Sequence, residues 1–326
     1  MTKIDLVTGI LGAGKTTFLL RYGRYLLQKG ERIAILVNDF GAVNVDTLLL
    51  SELKCDRCEI ETICGCGDPN AYRRRYRTKL IALGMQHFDR VLIEPSGIFD
   101  MDEFFDALYE SPLDKWYEIG SVLTILDAEM DDKRSDQMEF LLGSEAASAG
   151  RLVLSKLSSV QDEPLPALTE RILGYVNRAL TYIQCDRRFT EKDLLVKDWD
   201  TLTDADFAAL ESAGYRGSSY VKLFSPQTIR SSVHYFMHLH FPEAQIAEIV
   251  RGAMDDPACG KLYRIKGSLP SDHGGWRKIN VTREKTEISP VADGQAVLIA
   301  IGDDLDLERL DAHFRAANTD PEYVSI

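Results

Sequence analysis

The stretch Lys3–Thr17, KIDLVTGILGAGKTT, decides how the rest of the chain is read. An apolar run (Ile4, Leu6, Val7) leads into Gly9, and four residues further on comes Gly14-Lys15-Thr16. A G-x-x-x-x-G-K-T spacing between a strand and a helix is that of a phosphate-cradling loop. Glycines at 9, 12 and 14 let backbone N–H groups approach a triphosphate with no Cβ in the way. Lys15 offers a point charge to the β- and γ-phosphates, and the Thr16 hydroxyl offers Mg²⁺ a ligand. The helix that starts near Lys15 aims the positive end of its dipole at the same anion. The stretch points to a nucleoside-triphosphate site.

The whole chain sets bounds on this reading. Its 326 residues predict two domains, each with ample length to bury a core. A net charge of −13 disfavours nucleic acid or an anionic membrane surface as partner. No run approaches the roughly 18–20 apolar residues of a membrane span, and the first residues lack a signal peptide's apolar core. Of six cysteines, four fall between Cys55 and Cys66, unlike a secreted disulfide framework. A cytoplasmic protein with a metal or redox site is expected.

Beyond the loop, helical spacing over Thr16–Lys29 ends at Gly30, and RIAILV (Arg32–Val37) reads as a buried parallel strand. The loop Asn38–Asp46 then lies where α/β sheets place ligand contacts, with Asp39 and Asp46 able to reach Mg²⁺. Cys55, Cys58, Cys64 and Cys66 follow among Asp56, Glu59 and Glu61. Thiolates favour Zn²⁺ or Cu(I) over Mg²⁺, so these four read as one thiophilic site, with an iron–sulfur cluster as the alternative. A helix over Pro69–Met85 carries five basic residues on what reads as a solvated face. RVLI (Arg90–Ile93) is a strand tipped by Glu94, the position expected for an acid of the Mg²⁺ sphere, and Gly97 can offer its N–H to a γ-phosphate. Strands Val122–Leu126 and Arg151–Leu154 and a helix Pro164–Leu180 complete a first domain, 1–185. An acidic, partly helical connector (186–217) precedes an α+β domain (218–326). That domain is expected to hold a strand YVKLF, helices Thr228–Leu239, Pro242–Met254 and Asp306–Ala316, and strands LYRIKG, WRKINVT and AVLIAIG. His234 and His238, i,i+4 on the first of these helices, are a candidate metal pair, although packing or surface roles fit them better.

Together TGILGAGKTT, VNDFGAVNVD, the Cys64–Cys66 segment, IEPSG and LYRIKG…VLIAIG, in this order, resemble the CobW-type P-loop GTPases. These are metallochaperones grouped with the nickel-insertion GTPases of hydrogenase and urease maturation. The resemblance implies a P-loop domain with a mostly parallel sheet, followed by a smaller α+β domain. It implies that Gly9, Gly12, Ala13, Gly14, Lys15, Thr16 and Thr17 hold phosphates and Mg²⁺. Asn38–Asp46 would be the first switch, Glu94–Gly97 the second, and Lys156 would cover the base. The family's C-x-C-C metal motif, with an acid five residues upstream, falls on Glu59, Cys64 and Cys66. Three departures stand out. The third motif cysteine is Gly67, which leaves Cys55 and Cys58 to make up the set. Asp39 replaces the usual Glu, and the guanine-reading N-K-x-D appears as Ser155-Lys156-Leu157-Ser158.

The expected function is Mg²⁺-dependent hydrolysis of GTP or another NTP, coupled to delivery of a metal, Zn²⁺ first, or a metallocofactor. Turnover is expected to be slow until a partner binds. The partners expected are a client metalloprotein or cofactor enzyme and a second copy of the chain. A nucleotide-gated metal-binding or partner-binding protein without significant turnover is the competing reading. Ser158 cannot accept the guanine N1–H and amino hydrogen bonds as a carboxylate does, and losing such charged bonds costs about 1.5–3 kcal/mol. The chain should therefore discriminate GTP from ATP weakly, and Ser158→Asp should sharpen the preference about 10- to 100-fold. Competition binding measures both. A thousandfold GTP preference in the unaltered chain would mean that other residues read the base.

Overall fold

The computed structural model describes all residues except 11, 40–48, 65–68, 96–100, 133, 225–232, 284, 292–293 and 326, with residues 38–39, 64, 69–72, 102–103, 233 and 303 described in backbone alone. The described residues fall into two compact units whose boundary lies in 225–232.

The first unit is a seven-stranded, all-parallel sheet: β1 (Thr2–Thr8), β2 (Ile33–Asp39), β3 (Cys58–Cys64), β4 (Arg90–Glu94), β5 (Tyr117–Asp127), β6 (Arg151–Ser155) and β7 (Leu194–Leu195). Their spatial order is β3-β2-β4-β1-β5-β6-β7. The inner strands read as unbroken apolar runs because both sheet faces are covered; Ile4, Leu6, Val7, Ile33, Ile35, Leu92 and Val153 are fully buried. The helices are α1 (Lys15–Gln28), α2 (Pro69–Gly84), α3 (Met101–Leu108), α4 (Leu113–Trp116), α5 (Asp136–Ala147), α6 (Leu165–Tyr182) and α7 (Asp204–Glu211). Phe18, Leu19, Tyr22 and Leu26 make the stripe that α1 buries.

Two expectations change here. Residues 58–64, expected to fold as part of a metal loop, are an edge strand paired along its whole length with β2, from Ile33↔Cys58 to Asp39↔Cys64. The β-branched Ile60, Thr62 and Ile63 favour that extended form. Residues 186–217, expected as a connector, belong to the first unit. There Leu194 and Leu195 pair with Leu152 and Val153 on β6. Phe207 of α7 stacks on Tyr25 with centroids 5.2 Å apart, and Trp199 meets the edge of Phe18 at 5.4 Å.

The second unit is a six-stranded antiparallel sheet: β8 (Val233–Met237), β9 (Lys261–Pro270), β10 (Trp276–Thr282), β11 (Thr286–Val291), β12 (Val297–Asp303) and β13 (Val324–Ser325), ordered β11-β10-β9-β12-β8-β13. Helices α8 (Ile246–Asp255) and α9 (Leu307–Ala317) pack into its core with Phe236, Phe241, Ile265 and Leu298. The expected helix Thr228–Leu239 is, in its described part, the strand β8, because VHYFM is β-branched and aromatic and pairs with β12. His234 and His238 are then about 13 Å apart along an extended chain rather than one helical turn, so they form no metal pair. Residues 220–224, expected as a strand, carry no strand structure.

A buried charge cluster fixes the lower end of the first sheet. Asp5 of β1 and Arg90 of β4 are 0% and 2% exposed, and Arg90 Nη1 donates to Asp5 Oδ2 at 2.6 Å. Tyr22 OH donates to the same oxygen at 2.7 Å, and the Ser121 N–H to Oδ1 at 2.7 Å. Arg90 Nη2 also donates to Glu211 on α7 at 2.8 Å. Removing one partner of such a pair strands the other charge in the core. Arg90→Met should therefore lower stability by about 3–5 kcal/mol in urea denaturation. The double variant Asp5→Asn/Arg90→Met should lose less than the two single losses combined.

Candidate functional site

The loop after β1 is shaped by glycines that no other residue could replace without strain. Gly9 has φ 136°, and a Cβ there would lie 2.4 Å from the Ile125 carbonyl oxygen. Gly14 has φ 98°, caps α1, and would place a Cβ 3.3 Å from the Trp199 ring. Lys15 and Thr16, the first residues of α1, are 5% and 8% exposed. Lys15 Nζ donates to the Gly9 carbonyl at 2.8 Å, which folds the ammonium back over the loop.

Parallel pairing of β1 with β4 brings the Glu94 tip to the same sheet edge. The Thr16 hydroxyl donates to Glu94 Oε2 at 2.9 Å and is 3.1 Å from Oε1. A hydroxyl and a carboxylate beside a buried lysine are hard oxygen donors, the class Mg²⁺ takes. The residues present thus fit that ion. The side chain of Asp39, expected as a further Mg²⁺ ligand, and all of Gly97 lie outside the described residues, and Asp46 with them.

At the end of β6, Lys156 adopts φ 55° and its Nζ pairs with Asp127, with Glu129 at 3.6 Å. Ser158 lines an open cavity of about 380 Å³ together with Leu157, Gln161, Leu165 and Asp198. Asp198 comes from the turn after β7, where its Oδ1 accepts the Asp200 N–H at 2.8 Å. Next to it, Trp199 Nε1 donates to the Leu154 carbonyl at 2.9 Å. Asp198 is thus an acid that lines the cavity of Ser158 from a different strand end. Sequence reasoning missed it because residues 186–217 read as a connector.

The cysteines separate. Cys58 and Cys64 are the two ends of β3, six residues and about 20 Å apart. At the lower end the Cys58 N–H donates to the Cys55 carbonyl at 2.9 Å, and both thiols are free, Cys55 exposed and Cys58 buried. Burial, with Cys55 close by, pushes the Cys58 thiol up to about 12. The single four-cysteine site is thus corrected to two separate ends of a strand. Glu59 also sits low on β3, its Oε1 accepting from Gln86 Nε2 at 3.3 Å, so it cannot share an ion with Cys64. The acid in register with Cys64 is Asp39. Cys66 lies outside the described residues.

A second residue unseen in the sequence lies beneath the loop. Glu145 of α5 is 2% exposed, accepts the Gly9 N–H, and leaves Oε2 with no hydrogen-bond partner. Its helix is tied to β1 through Thr124, whose hydroxyl donates to the Glu145 carbonyl at 3.0 Å and is 2.8 Å from that of Thr8. Burial pushes its carboxyl up to about 8, against the pull of Lys15 and the Gly9 N–H. One acid on a mixed helix gives no periodic signal, so the sequence carried no pointer to it.

Comparison with known proteins agrees with this geometry. The CobW/HypB/UreG nucleotide-binding domain matches residues 3–184. The zinc chaperone YeiR of Escherichia coli (strain K12) is 31% identical over 170 residues, covering 52% of this chain and 50% of that protein. The zinc chaperone YjiA of the same strain is 31% identical over 162 residues, 47% of this chain and 48% of that one. The zinc chaperone CobW of Pseudomonas aeruginosa is 25% identical over 224 residues, 56% of each. The chain spans about half the length of these relatives. No described helix is long and apolar enough to cross a membrane.

Glu145 makes stability depend on pH in a definite direction. Its folded pKa of about 8 stands above the ordinary carboxyl value of 4.5. The native state therefore holds a proton that the unfolded state has released. That contribution is complete below the unfolded value and is lost as pH rises through the folded one. Glu145→Gln removes the loss. Compared with the unaltered chain, the variant should gain stability between pH 5 and 9, on the order of a few kcal/mol, read as a widening difference in Tm.

Proposed function

The chain belongs to the CobW/HypB/UreG family of nucleotide-binding domains, and from that premise we propose a Mg²⁺-dependent NTP hydrolase, GTP its expected substrate, whose nucleotide state drives delivery of a metal or metallocofactor to a client protein. The observation that carries this reading is the meeting of Thr16 and Glu94 beside the folded-back Lys15. The loop N–H groups from Gly9 to Thr17 hold and orient the phosphates. Lys15 moves its ammonium from the Gly9 carbonyl to the β- and γ-oxygens, where charge grows as the phosphoryl group transfers. Thr16 and Glu94 would hold Mg²⁺, which when bound spreads that charge over its own coordination sphere. Through a water, Glu94 also helps to position the nucleophile. The client is a metalloprotein or cofactor enzyme, and a second copy of the chain is the other partner proposed.

Zinc as the cargo rests on the names of the relatives and on the sheet edge, where Cys64 and Asp39 are register partners one strand apart. That edge is shared with the end of β4 and the phosphate loop, so loops ordered by a γ-phosphate would change the ion's surroundings. By linkage, the metal must change nucleotide affinity by the same factor. On the base, Asp198 brings a carboxylate to the cavity that Ser158 lines, so a GTP preference stronger than Ser158 allows would be assigned to Asp198.

Lys15→Ala should abolish measurable triphosphate binding in calorimetry while leaving the circular dichroism unchanged. Retained affinity would refute the phosphate-loop assignment. In the unaltered chain, Zn²⁺ affinity under reducing conditions should differ between the diphosphate and triphosphate-analogue forms, and single-turnover hydrolysis should respond to Zn²⁺. Equal affinities in both states would leave a structural site without coupling.

A further inference from the structure

The second unit assembles a donor set of its own, far in sequence from the nucleotide machinery. The segment Asp256-Pro257-Ala258-Cys259 follows α8 as a single 3₁₀ turn, Pro257–Cys259, capped by Asp256. Side chains three residues apart eclipse one another in that geometry, so Asp256 and Cys259 project on one side. Asp256 Oδ1 accepts the Ala258 N–H at 2.9 Å. Gly260 closes the turn at φ 88°, where a Cβ would lie 2.2 Å from the Asp304 carbonyl oxygen. The Asp306 N–H donates to the Cys259 carbonyl at 3.1 Å, pinning the turn to the residue that caps α9. From α9, His313 Nε2 lies 2.7 Å from Asp256 Oδ2, and Arg309, one turn earlier, donates Nε to the same oxygen at 2.8 Å. The cysteine sulfur, an imidazole nitrogen and a carboxylate oxygen all lie within 4.8 Å of one another.

We propose that Asp256, Cys259 and His313 form a binding site for a divalent transition-metal ion of the Zn²⁺ class. The donors are one sulfur, one nitrogen and one oxygen, a mixture that suits a borderline ion and not Mg²⁺ or Ca²⁺. Ligands bonded at about 2.0–2.3 Å around one tetrahedral ion stand about 3.3–3.7 Å apart, so the His313 and Asp256 donors, now 2.7 Å apart, open slightly, and no donor pair starts beyond 4.8 Å. Both backbone segments are already fixed by the hydrogen bonds above, so little ordering remains. Cys259 is fully buried, whereas the Asp256 and His313 side chains are 14% and 26% exposed, which leaves the approach open on their side. Three protein ligands with a solvent-facing fourth position make an exchangeable site rather than a closed structural one. In the metal-free chain Arg309 occupies the carboxylate oxygen that the ion needs. Binding therefore displaces the Arg309 hydrogen bond, and the Cys259 thiol passes its proton to water as the sulfur–metal bond forms.

The test uses the full-length, reduced, metal-stripped chain without nucleotide, with Co²⁺ as the spectroscopic probe, so its outcome is independent of the nucleotide reading. In a background with Cys55, Cys58, Cys64 and Cys66 changed to Ser, one equivalent of Co²⁺ should bind with a thiolate charge-transfer band in the near ultraviolet. Cys259→Ser should abolish that band. His313→Gln should weaken binding at least about tenfold, and Arg309→Gln, which removes the competitor, should tighten it. In the otherwise unaltered chain, Cys259→Ser should lower the bound Co²⁺ by one equivalent, which guards against misfolding of the serine background. A band that survives Cys259→Ser, or an unchanged stoichiometry in the otherwise unaltered chain, overturns the proposal.

Discussion

Everything at the candidate site depends on the parallel register of β1 with β4, and that register is held at its lower end by the buried Asp5–Arg90 pair. Asp5 accepts from Arg90, from Tyr22 on α1 and from the Ser121 N–H on β5. The carboxylate thus joins the strand before the phosphate loop to the helix after it and to both neighbouring strands. A burial this complete is costly for two charges unless their polar atoms are hydrogen-bonded, and here each Arg90 side-chain nitrogen and each Asp5 carboxylate oxygen has a partner. With the lower end locked, Leu6 stands opposite Ile93, and the chain leaves both strands at the same edge. The Thr16–Glu94 contact follows from that strand geometry rather than from any local preference.

The same rigidity divides the cysteines. An extended strand advances about 3.3 Å per residue, so β3 cannot fold Cys58 back toward Cys64. Cys58 is drawn into the core at the lower end, where burial keeps its thiol protonated and makes it a poor ligand. Cys64 is delivered to the upper end of the strand, in register with Asp39. One strand thus sorts a cluster that looks continuous in sequence into a lower-end pair, with Cys58 buried and Cys55 exposed, and Cys64 at the upper end of β3.

Residues 186–217 do more than join two domains. Their strand extends the sheet past β6, and their aromatic side chains complete the core over α1. Trp199 backs Gly14 closely enough that the loop has a wall behind it, and its neighbour Asp198 faces the cavity that Ser158 lines. Two turns at the ends of adjacent strands, one after β6 and one after β7, thus line the same cavity. Glu145 acts in the same way from below, as a helix side chain brought under Gly9 by packing alone.

The phosphate loop, its strand and helix, Glu94 at a strand tip and most of the parallel sheet were legible in the sequence. Each rests on local information: glycines at fixed offsets, apolar runs, and a lysine and hydroxyl at the start of a helix. The α+β character of the second unit was legible for the same reason. What only the tertiary structure decided were the properties set by distance between segments. These include the strand nature of Cys58–Cys64, the strand β8 in place of a helix, the place of Trp199 against Gly14 and of Asp198 at the cavity of Ser158, and the burial of Glu145 under Gly9. They also include the convergence of Asp256, Cys259 and His313, which come from a turn and a helix separated by four strands. Spacing in sequence reports neighbours along one element, because helix and strand periods repeat locally. It cannot report which ends of different elements meet, because that is settled by how buried apolar faces and strand registers are satisfied together.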